Sequence, residues 1–198
     1  MTSRLTDRPA SSDGTLATRP LKIVVAGGFA AGKTTLVESI SEITPLTTEA
    51  PMTSLSVGVD NSGEIRTKTT TTVAMDFGRI TLGTETMLYL FGTPGQDRFW
   101  FMWDELVRGA VGAVVVVDSR RLSDCFSALD FFDEHRVPYV VTVNCFDGKL
   151  HHPIEDIEDA LSMDPAVPLL AADLRKRAET KQVLIELVKH AISKKASV

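Results

Sequence analysis

Short apolar runs alternate with amphipathic stretches along most of this chain of 198 residues. Residues 21–26 are apolar over the length of a short strand, and residues 111–117 form a nearly continuous β-branched run. Such a β-branched run is typical of a parallel strand that is buried on both faces. Further strands are predicted over residues 138–143 and 167–171. Apolar residues at helical spacing predict helices with inward positions at Leu36, Val37, Ile40 and Ile43; Phe126, Leu129 and Phe132; Ile154, Ile157 and Leu161; and Val183, Leu184, Leu187, Val188 and Ile192.

This alternation predicts an α/β fold with a doubly wound, mostly parallel sheet, whose ligand binds at the carboxyl ends of the strands. Two strands near residues 72–80 and 86–91 surround a Leu-Gly-Thr turn and predict a hairpin. One hairpin in such a pattern predicts a single antiparallel strand at the edge of the sheet. The polar residues 45–72 are predicted to form a long loop, which in a compact domain is functional or disordered.

Composition divides the chain into a tail and a domain. Residues 1–20 are rich in Ser, Thr, Asp, Arg and Pro and carry too little apolar surface to offset the entropy of ordering them. They are predicted to be a disordered tail. Residues 21–195 are long enough for one domain with a sizeable core, and too short for two ordinary ones.

Charge and cysteine usage narrow the function classes. The net charge is −5, the pI is near 5.4 and no basic stripe recurs, so direct nucleic-acid binding is not expected. Cys125 and Cys145 lack C-x-x-C spacing, which fits a reducing cytoplasm and argues against a zinc site. No apolar run approaches the ~20 residues of a membrane span. We therefore expect a cytoplasmic protein without an integral membrane segment.

The strongest local motif follows the first predicted strand and opens the first predicted helix, as a phosphate-binding loop requires. It matches the pattern G-x-x-x-x-G-K-[ST] at Gly27, Gly28, Phe29, Ala30, Ala31, Gly32, Lys33 and Thr34, and Thr35 follows. Glycines let backbone N–H groups surround phosphate oxygens, Lys33 would reach the β- and γ-phosphates, and the Thr34 hydroxyl would bind Mg²⁺. The alternative is a glycine-rich turn before a helix with a surface lysine, which the flanking strand and helix disfavour. The motif adds "P-loop NTPase" to the fold prediction.

Other segments resemble the Ras-like small GTPases, from residue 21 to the last helix. Residues 91–99, F-G-T-P-G-Q-D-R-F, resemble that family's switch II, and residues 144–147, N-C-F-D, resemble its guanine-reading N-K-x-D. Residues 173–175, D-L-R, lie where the family has S-A-K, and Thr72 is the candidate switch I threonine. The segments G-G-F, T-V-A-M-D-F-G and F-G-T-P-G-Q-D-R more narrowly resemble the conservon (CvnD-type) GTPases of actinobacteria and mycobacterial MfpB-type proteins, relatives of the bacterial MglA group.

The resemblance implies a switch that binds GTP and GDP with Mg²⁺. Asp147 can accept from guanine N1–H and N2–H₂ together, which adenine cannot satisfy, although an N-x-x-D segment alone also suits an Asx turn. Asn144 would brace the base loop, and the backbone N–H of Leu174, between Asp173 and Arg175, would meet O6. Gly95 and Thr72 would contact the γ-phosphate, and Gln96 would orient the attacking water. The predicted catalytic residues are therefore Gln96 and Lys33, and the predicted metal site comprises Thr34, Thr72 and Asp76.

Departures from the family pattern concern catalysis. Gly92 stands where Ras-like proteins have the aspartate that holds Mg²⁺ through water, and Asp76 is the nearest replacement, unless it only caps its strand. Cys145 replaces a lysine that covers the base. Phe29 replaces a glycine beside the γ-phosphate, and Thr71 stands where MglA-type relatives have an arginine. Together these changes predict slow intrinsic GTP hydrolysis.

The resemblance also implies partners. A roadblock (LC7-type) protein would regulate the nucleotide state, with a sensor kinase or a pentapeptide-repeat protein as further members of the same system. Two other classes stay open at the level of sequence. One is a GTP-binding signalling module with negligible turnover. The other is a P-loop ATPase or small-molecule kinase, in which Asp147 is incidental.

Overall fold

The computed structural model describes residues 19–53, 70–94 and 102–196. Within these ranges, seven strands form one sheet in the order β2-β3-β4-β1-β5-β6-β7. The strands are β1 Arg19–Gly27, β2 Leu46–Thr53, β3 Thr70–Leu82, β4 Thr86–Gly92, β5 Ala110–Val117, β6 Tyr139–Asn144 and β7 Leu169–Ala172. The α-helices are α1 Lys33–Ile40, α2 Trp103–Val107, α3 Phe126–Glu134, α4 Ile154–Leu161 and α5 Arg177–Ala196. Single 3₁₀ turns cover Leu122–Cys125 and Phe146–Gly148.

Most neighbouring strands run parallel. β1 pairs parallel with β4 and β5, β5 with β6, and β6 with β7, whereas β3 runs antiparallel to both β2 and β4. The predicted fold class, a P-loop α/β sheet of the small-GTPase type, is confirmed by this order together with the similar folds reported below. One detail of the prediction is wrong. The antiparallel strand β3 lies one position in from the edge, because β2 pairs along its outer side.

The edge strand β2 lies within residues 45–72, which were expected to be a loop. Its sequence, L-T-T-E-A-P-M-T, is polar and contains Pro51, which cannot donate to a ladder. Such a sequence is tolerated at a sheet edge, where only one side of the strand is paired and few apolar residues are needed. β3 begins at Thr70, so Thr72 lies inside a strand and pairs with Pro51.

The central strands have two buried faces. Along β5, Val114 and Val116 pack with the helices α1 and α5, whereas Val115 and Val117 pack with α3 and α4 on the other side. All four of these valines are fully buried. The β-branched run was therefore interpreted correctly as a doubly covered parallel strand.

The helices agree with the apolar stripes except at three positions. In α3, Leu129 and Phe132 are buried as predicted, but Phe126 at the start of the helix is 38% exposed, because the buried stripe of this helix runs through Ala128, Leu129, Phe131 and Phe132. α1 ends at Ile40, so Ile43 lies beyond the helix, because the chain turns at Ser41 into an extended backbone. In α5, Val183, Leu184 and Leu187 are buried as predicted, but Ile192 is exposed. The inward position in that part of the helix is taken by Ala191, one residue and about 100° earlier around the helix.

The predicted division into a tail, residues 1–20, and one domain, residues 21–195, stays a prediction. Residues 1–18 lie outside the described part of the chain, and β1 already begins at Arg19. Among the helices that the structure describes, none combines the length and the apolar character needed to cross a membrane.

Candidate functional site

The phosphate loop lies at the carboxyl end of β1, where Gly27 ends the strand and Lys33 begins α1. Lys33 is buried, and its Nζ donates hydrogen bonds to the carbonyl oxygens of Gly27, at 2.9 Å, and Gly28, at 2.6 Å. Burial lowers the pKa of Lys33 to about 8, against a weaker opposing effect of the nearby carboxylate of Asp76. The ammonium group is thus held inside the loop, at the side from which phosphate oxygens are bound in loops of this type.

Asn144 joins the phosphate loop to the candidate base loop. Its Nδ2 donates to the carbonyl oxygen of Ala31 at 3.0 Å, and the side chain is buried. Gly32 has a φ of +113°, and a Cβ at this position would overlap Asn144 Nδ2. The glycine is therefore required twice, for its backbone conformation and for the space that Asn144 occupies.

Asp147 follows Asn144 in a 3₁₀ turn and adopts a φ of 55°. Its side chain is 87% exposed, and its Oδ1 accepts a hydrogen bond from Nη1 of Arg175 at 3.0 Å. The loop is fixed to the end of β7 because the backbone N–H of Cys145 donates to the carbonyl of Ala172 at 2.8 Å. The exposed carboxylate of Asp147 thus lies at the rim of the site, in a loop that is held by the buried residues Asn144 and Ala172.

Residues 173–175 follow β7 and face this loop. Arg175 binds the carboxylate of Asp173 through two parallel hydrogen bonds, each of 2.9 Å, and this lowers the pKa of Asp173 to about 2. The backbone N–H of Asp173 donates to Glu179 at 2.6 Å. Leu174 is fully buried below the site. The structure therefore brings together five of the predicted site residues, Asn144, Asp147, Asp173, Leu174 and Arg175, and their role in binding a base stays a prediction.

Thr34 and Asp76 also meet. Thr34 lies in the first turn of α1, and its hydroxyl donates to Asp76 Oδ2 at 2.6 Å. Asp76 lies on β3 directly opposite Gly92 on β4. A Cβ on Gly92 would lie 3.0 Å from the Cβ of Asp76, so the glycine leaves the room that Asp76 occupies.

This oxygen pair fits Mg²⁺. The ion keeps several waters and takes only one or two protein oxygens beside nucleotide phosphates, and this pair lies at the start of α1, next to Lys33. Thr34 and Asp76 would hold the ion either directly or through water. The third predicted ligand, Thr72, lies on β3, but its side chain is outside what the structure describes.

The rim of the phosphate loop carries Phe29, whose side chain is exposed, and Ala30, which has a φ of 58°. Thr35, the last residue of the predicted set at this loop, lies partly buried in the first turn of α1. Gly95 and Gln96 lie outside the described residues, so the positions of the predicted γ-phosphate contact and catalytic glutamine stay predictions.

Sequence reasoning missed the loop after β5, which contacts the same rim. Arg121 donates to the carbonyl of Phe29 at 2.9 Å, and its neighbour Arg120 binds the buried Asp118 through two hydrogen bonds of 2.8 Å. The Arg120 guanidinium also lies 4.0 Å from the ring centre of Phe146 in the base loop. The signal was the D-S-R-R segment at the carboxyl end of a buried strand, where polar residues belong to a ligand edge.

The sequence also matches a known protein family. The model of the family described as "Conserved hypothetical ATP binding protein" matches residues 25–194, which is most of the chain. The chain belongs to this family. It is also 30% identical over 126 residues to "Uncharacterized protein MJ1339" of Methanocaldococcus jannaschii, a match that covers 63% of this chain and 69% of that protein. The description of this family, ATP binding, thus agrees with the phosphate loop at residues 27–34.

Solved structures with the same fold include domains of the T. maritima FeoB iron transporter. Its G domain superposes with a TM-score of 0.59 at 15% identity, covering 87% of this chain and 99% of that domain. The cytosolic domain in a GDP form gives a TM-score of 0.60 at 16% identity over 88% of this chain. The chain spans 64% of that cytosolic-domain structure. At these identities the likeness shows a GTPase-type fold for this member of the ATP-binding family.

Proposed function

We propose that this chain is a guanine-nucleotide switch that binds GTP and GDP with Mg²⁺ and hydrolyses GTP slowly. The observation that carries the proposal is the bond from Asn144 to Ala31. It holds the exposed carboxylate of Asp147 at a fixed position relative to the phosphate loop. One nucleotide could then place its phosphates in the loop and its base beside Asp147. Guanine offers N1–H and N2–H₂ donors to such a carboxylate, whereas adenine offers an acceptor at N1.

Each group has a role in this proposal. Lys33 leaves the carbonyls of Gly27 and Gly28 to bind phosphate oxygens, and the backbone N–H groups of the loop complete the cradle. Thr34 and Asp76 would hold Mg²⁺, and the bound ion would supply positive charge beside the β- and γ-phosphates. Gln96 orients the attacking water. The existence of a GDP form of the FeoB cytosolic domain, which shares this fold, supports the choice of nucleotide.

Slow hydrolysis follows from the rim of the phosphate loop. The Phe29 side chain is 64% exposed there, and it obstructs the approach of a glutamine or an incoming arginine to the γ-phosphate. Single-turnover hydrolysis below about 10⁻² s⁻¹ is expected, since that is the rate with an arginine in place. Phe29→Gly should raise the rate if the obstruction is steric. A faster wild type, or an unchanged variant, would remove the steric explanation.

The first test is calorimetric titration of nucleotide-free protein with GDP, GTP and ATP in Mg²⁺, with Asp147→Ala as the variant. Guanine-selective binding that the variant loses, by about 10-fold or more, is expected for a hydrogen-bonded carboxylate. Asp156→Ala, which removes an exposed carboxylate in the first turn of α4, is the matched control and should change nothing. Equal binding of ATP would instead support an ATPase or kinase, as the family name suggests.

We further propose that the chain is a conservon-type member of the MglA-related group and works with a roadblock (LC7-type) regulator in the cytoplasm. The motifs around Phe29, Asp76 and Gly92 support this grouping, since they coincide in one chain. A purified roadblock-type partner should change the GDP release rate at least severalfold. A sensor kinase or pentapeptide-repeat protein of the same system would be tested in the same way, and an unchanged release rate with every partner would contradict the regulatory proposal.

A further inference from the structure

Arg175 bridges two carboxylates at the base end of the site. Its Nε and Nη2 bind both oxygens of Asp173, and its Nη1 binds Oδ1 of Asp147 at 3.0 Å. Asp173 is 3% exposed, whereas Asp147 is almost fully open to solvent. One guanidinium, 28 residues along the chain from Asp147, therefore ties an open carboxylate to a buried one.

Without this bridge the arrangement would be unfavourable. Two carboxylates in one small site repel each other, and an exposed aspartate exchanges among several side-chain rotamers. The fork on Asp173 immobilises the guanidinium, because a bidentate pair fixes direction as well as distance. The third hydrogen bond then fixes the carboxylate of Asp147 in one orientation.

The bridge leaves Asp147 able to accept further hydrogen bonds. Each carboxylate oxygen accepts along two lone-pair directions, so Oδ1 keeps one of them after binding Arg175. In the described part of the chain, Oδ2 of Asp147 makes no hydrogen bond. Both oxygens of the fixed carboxylate therefore keep an open acceptor position, so that one can accept from guanine N1–H and the other from N2–H₂.

We propose that Arg175 is a positioning residue for base specificity: it holds Asp147 in the orientation that accepts from both guanine donors. This inference rests on the proposed guanine-nucleotide function. Guanine specificity then depends on the Arg175 bridge between Asp147 and Asp173 as well as on the carboxylate of Asp147. The neighbouring Lys176 lies 3.8 Å from Asp173 and binds Glu179, so it shares the charge and the location of Arg175 without contacting Asp147.

The test compares GDP, inosine diphosphate and ADP as ligands in Mg²⁺. Inosine lacks only the 2-amino group, so the ratio of GDP to inosine diphosphate affinity measures the second hydrogen bond to Asp147. For wild type we expect a ratio of about 10, the value of one hydrogen bond to a charged group. In Arg175→Ala the ratio should fall to about 1–3, while ADP affinity, which reports the phosphate loop, stays within about twofold. Lys176→Ala is the matched control and should keep the wild-type ratio.

Damage to the fold would give a different result. It would weaken GDP, inosine diphosphate and ADP by the same factor and leave the ratio unchanged, which would overturn the inference. Arg175→Lys is the second variant: it keeps a charge but lacks the fork, so it should also lose most of the ratio. A guanine-selective wild type whose ratio survives both substitutions overturns the inference alone. A wild type that binds ADP as tightly as GDP overturns the proposed function, and the inference with it.

Discussion

The carboxylate suited to Mg²⁺ stands on β3, whereas the Ras-like pattern puts one on β4. Asp76 and Gly92 are direct partners across these two strands, and the glycine provides the space in which Asp76 reaches Thr34. The two positions therefore form a pair in which only one residue carries a carboxylate. A substitution at either position is best judged together with its partner.

This pairing gives a compensation test. Asp76→Ala should reduce the Mg²⁺ dependence of GDP binding, measured as the affinity with Mg²⁺ over the affinity with chelator, by about 10-fold or more. Gly92→Asp alone should lower the free energy of unfolding by about 1–3 kcal/mol, because its Cβ meets Asp76 at 3.0 Å. The double variant should recover part of both losses. An unchanged Mg²⁺ dependence in Asp76→Ala would exclude this residue from the metal site.

We expect Lys33 to make nucleotide binding sensitive to alkaline pH. Burial lowers the pKa of the free protein's Lys33 to about 8, and a bound phosphate would raise it again, because an anion favours the ammonium form. Below pH 8 the lysine is charged in both states, so affinity should be flat. Above pH 8 binding takes up a proton, and affinity should fall by up to tenfold per pH unit until the pKa of the complex is reached.

Calorimetry from pH 7 to 9.5 measures this effect, and buffers of different ionisation enthalpy report the proton uptake directly. Lys33→Met is the control, since it should bind more weakly at every pH and lose the alkaline decline. A wild-type affinity that stays constant up to pH 9.5 would contradict the role of Lys33.

At the scale of elements, the apolar pattern predicted those parts of the fold that bury apolar side chains. β5 and α4 were found in place because their inward residues recur at the period of a strand or a helix. β2 was missed because an edge strand is stabilised by backbone pairing, which leaves little trace in composition. In the C-terminal half of α5, Ile192 was wrongly predicted to face inward, since a long helix offers several apolar stripes and packing against the sheet selects among them.

In the candidate site, too, some features were predictable from the sequence and others were not. Residues of continuous motifs, such as Lys33 and Asn144, were predicted because each motif carries its own spacing. Contacts between distant segments could not be predicted from the sequence. For example, Arg121 donates to the carbonyl of Phe29, which is 92 residues away along the chain. Only the sheet order, which places the ends of β1 and β5 side by side, brings these loops together.

The short helix α2 offers an element-scale prediction. Trp103 at its start is 4% exposed and packs on Phe131 and Phe132 of α3, with ring centres 5.3 and 5.8 Å away. Trp103→Ala should lower the free energy of unfolding by about 3–5 kcal/mol, measured by urea denaturation. Phe126→Ala removes a ring that is 38% exposed on the same helix α3, and should cost under about 1.5 kcal/mol. Equal losses in the two variants would show that α2 is not anchored by this cluster.

At the scale of the whole molecule, three of the described loops at the carboxyl edge of the sheet are joined to one another by hydrogen bonds. They follow β1, β6 and β7, and their side chains are joined through Asn144 and Arg175. A nucleotide that contacts all three would link strands from the centre of the sheet to its edge. Since such a ligand binds only the folded chain, it should stabilise the molecule by mass action.

The last prediction uses that linkage. At a concentration 100 times its dissociation constant, GDP with Mg²⁺ should raise the free energy of unfolding by about 2.7 kcal/mol in urea titrations. Asp147→Ala should leave the ligand-free stability within about 0.5 kcal/mol of wild type, because the side chain is 87% exposed. At the same GDP concentration, however, the variant should lose about 1.4 kcal/mol of the stabilisation if its affinity falls tenfold.

The two outcomes separate folding from binding in one experiment. A variant that is already unstable without ligand would mean that Asp147 supports its loop, and that its effect on affinity is indirect. A variant with wild-type stability and wild-type stabilisation by GDP would remove Asp147 from the site. ADP at the same concentration is the matched ligand: it fills the phosphate loop beside Lys33 but lacks the donors for Asp147, so its stabilisation should be small and equal in the two proteins.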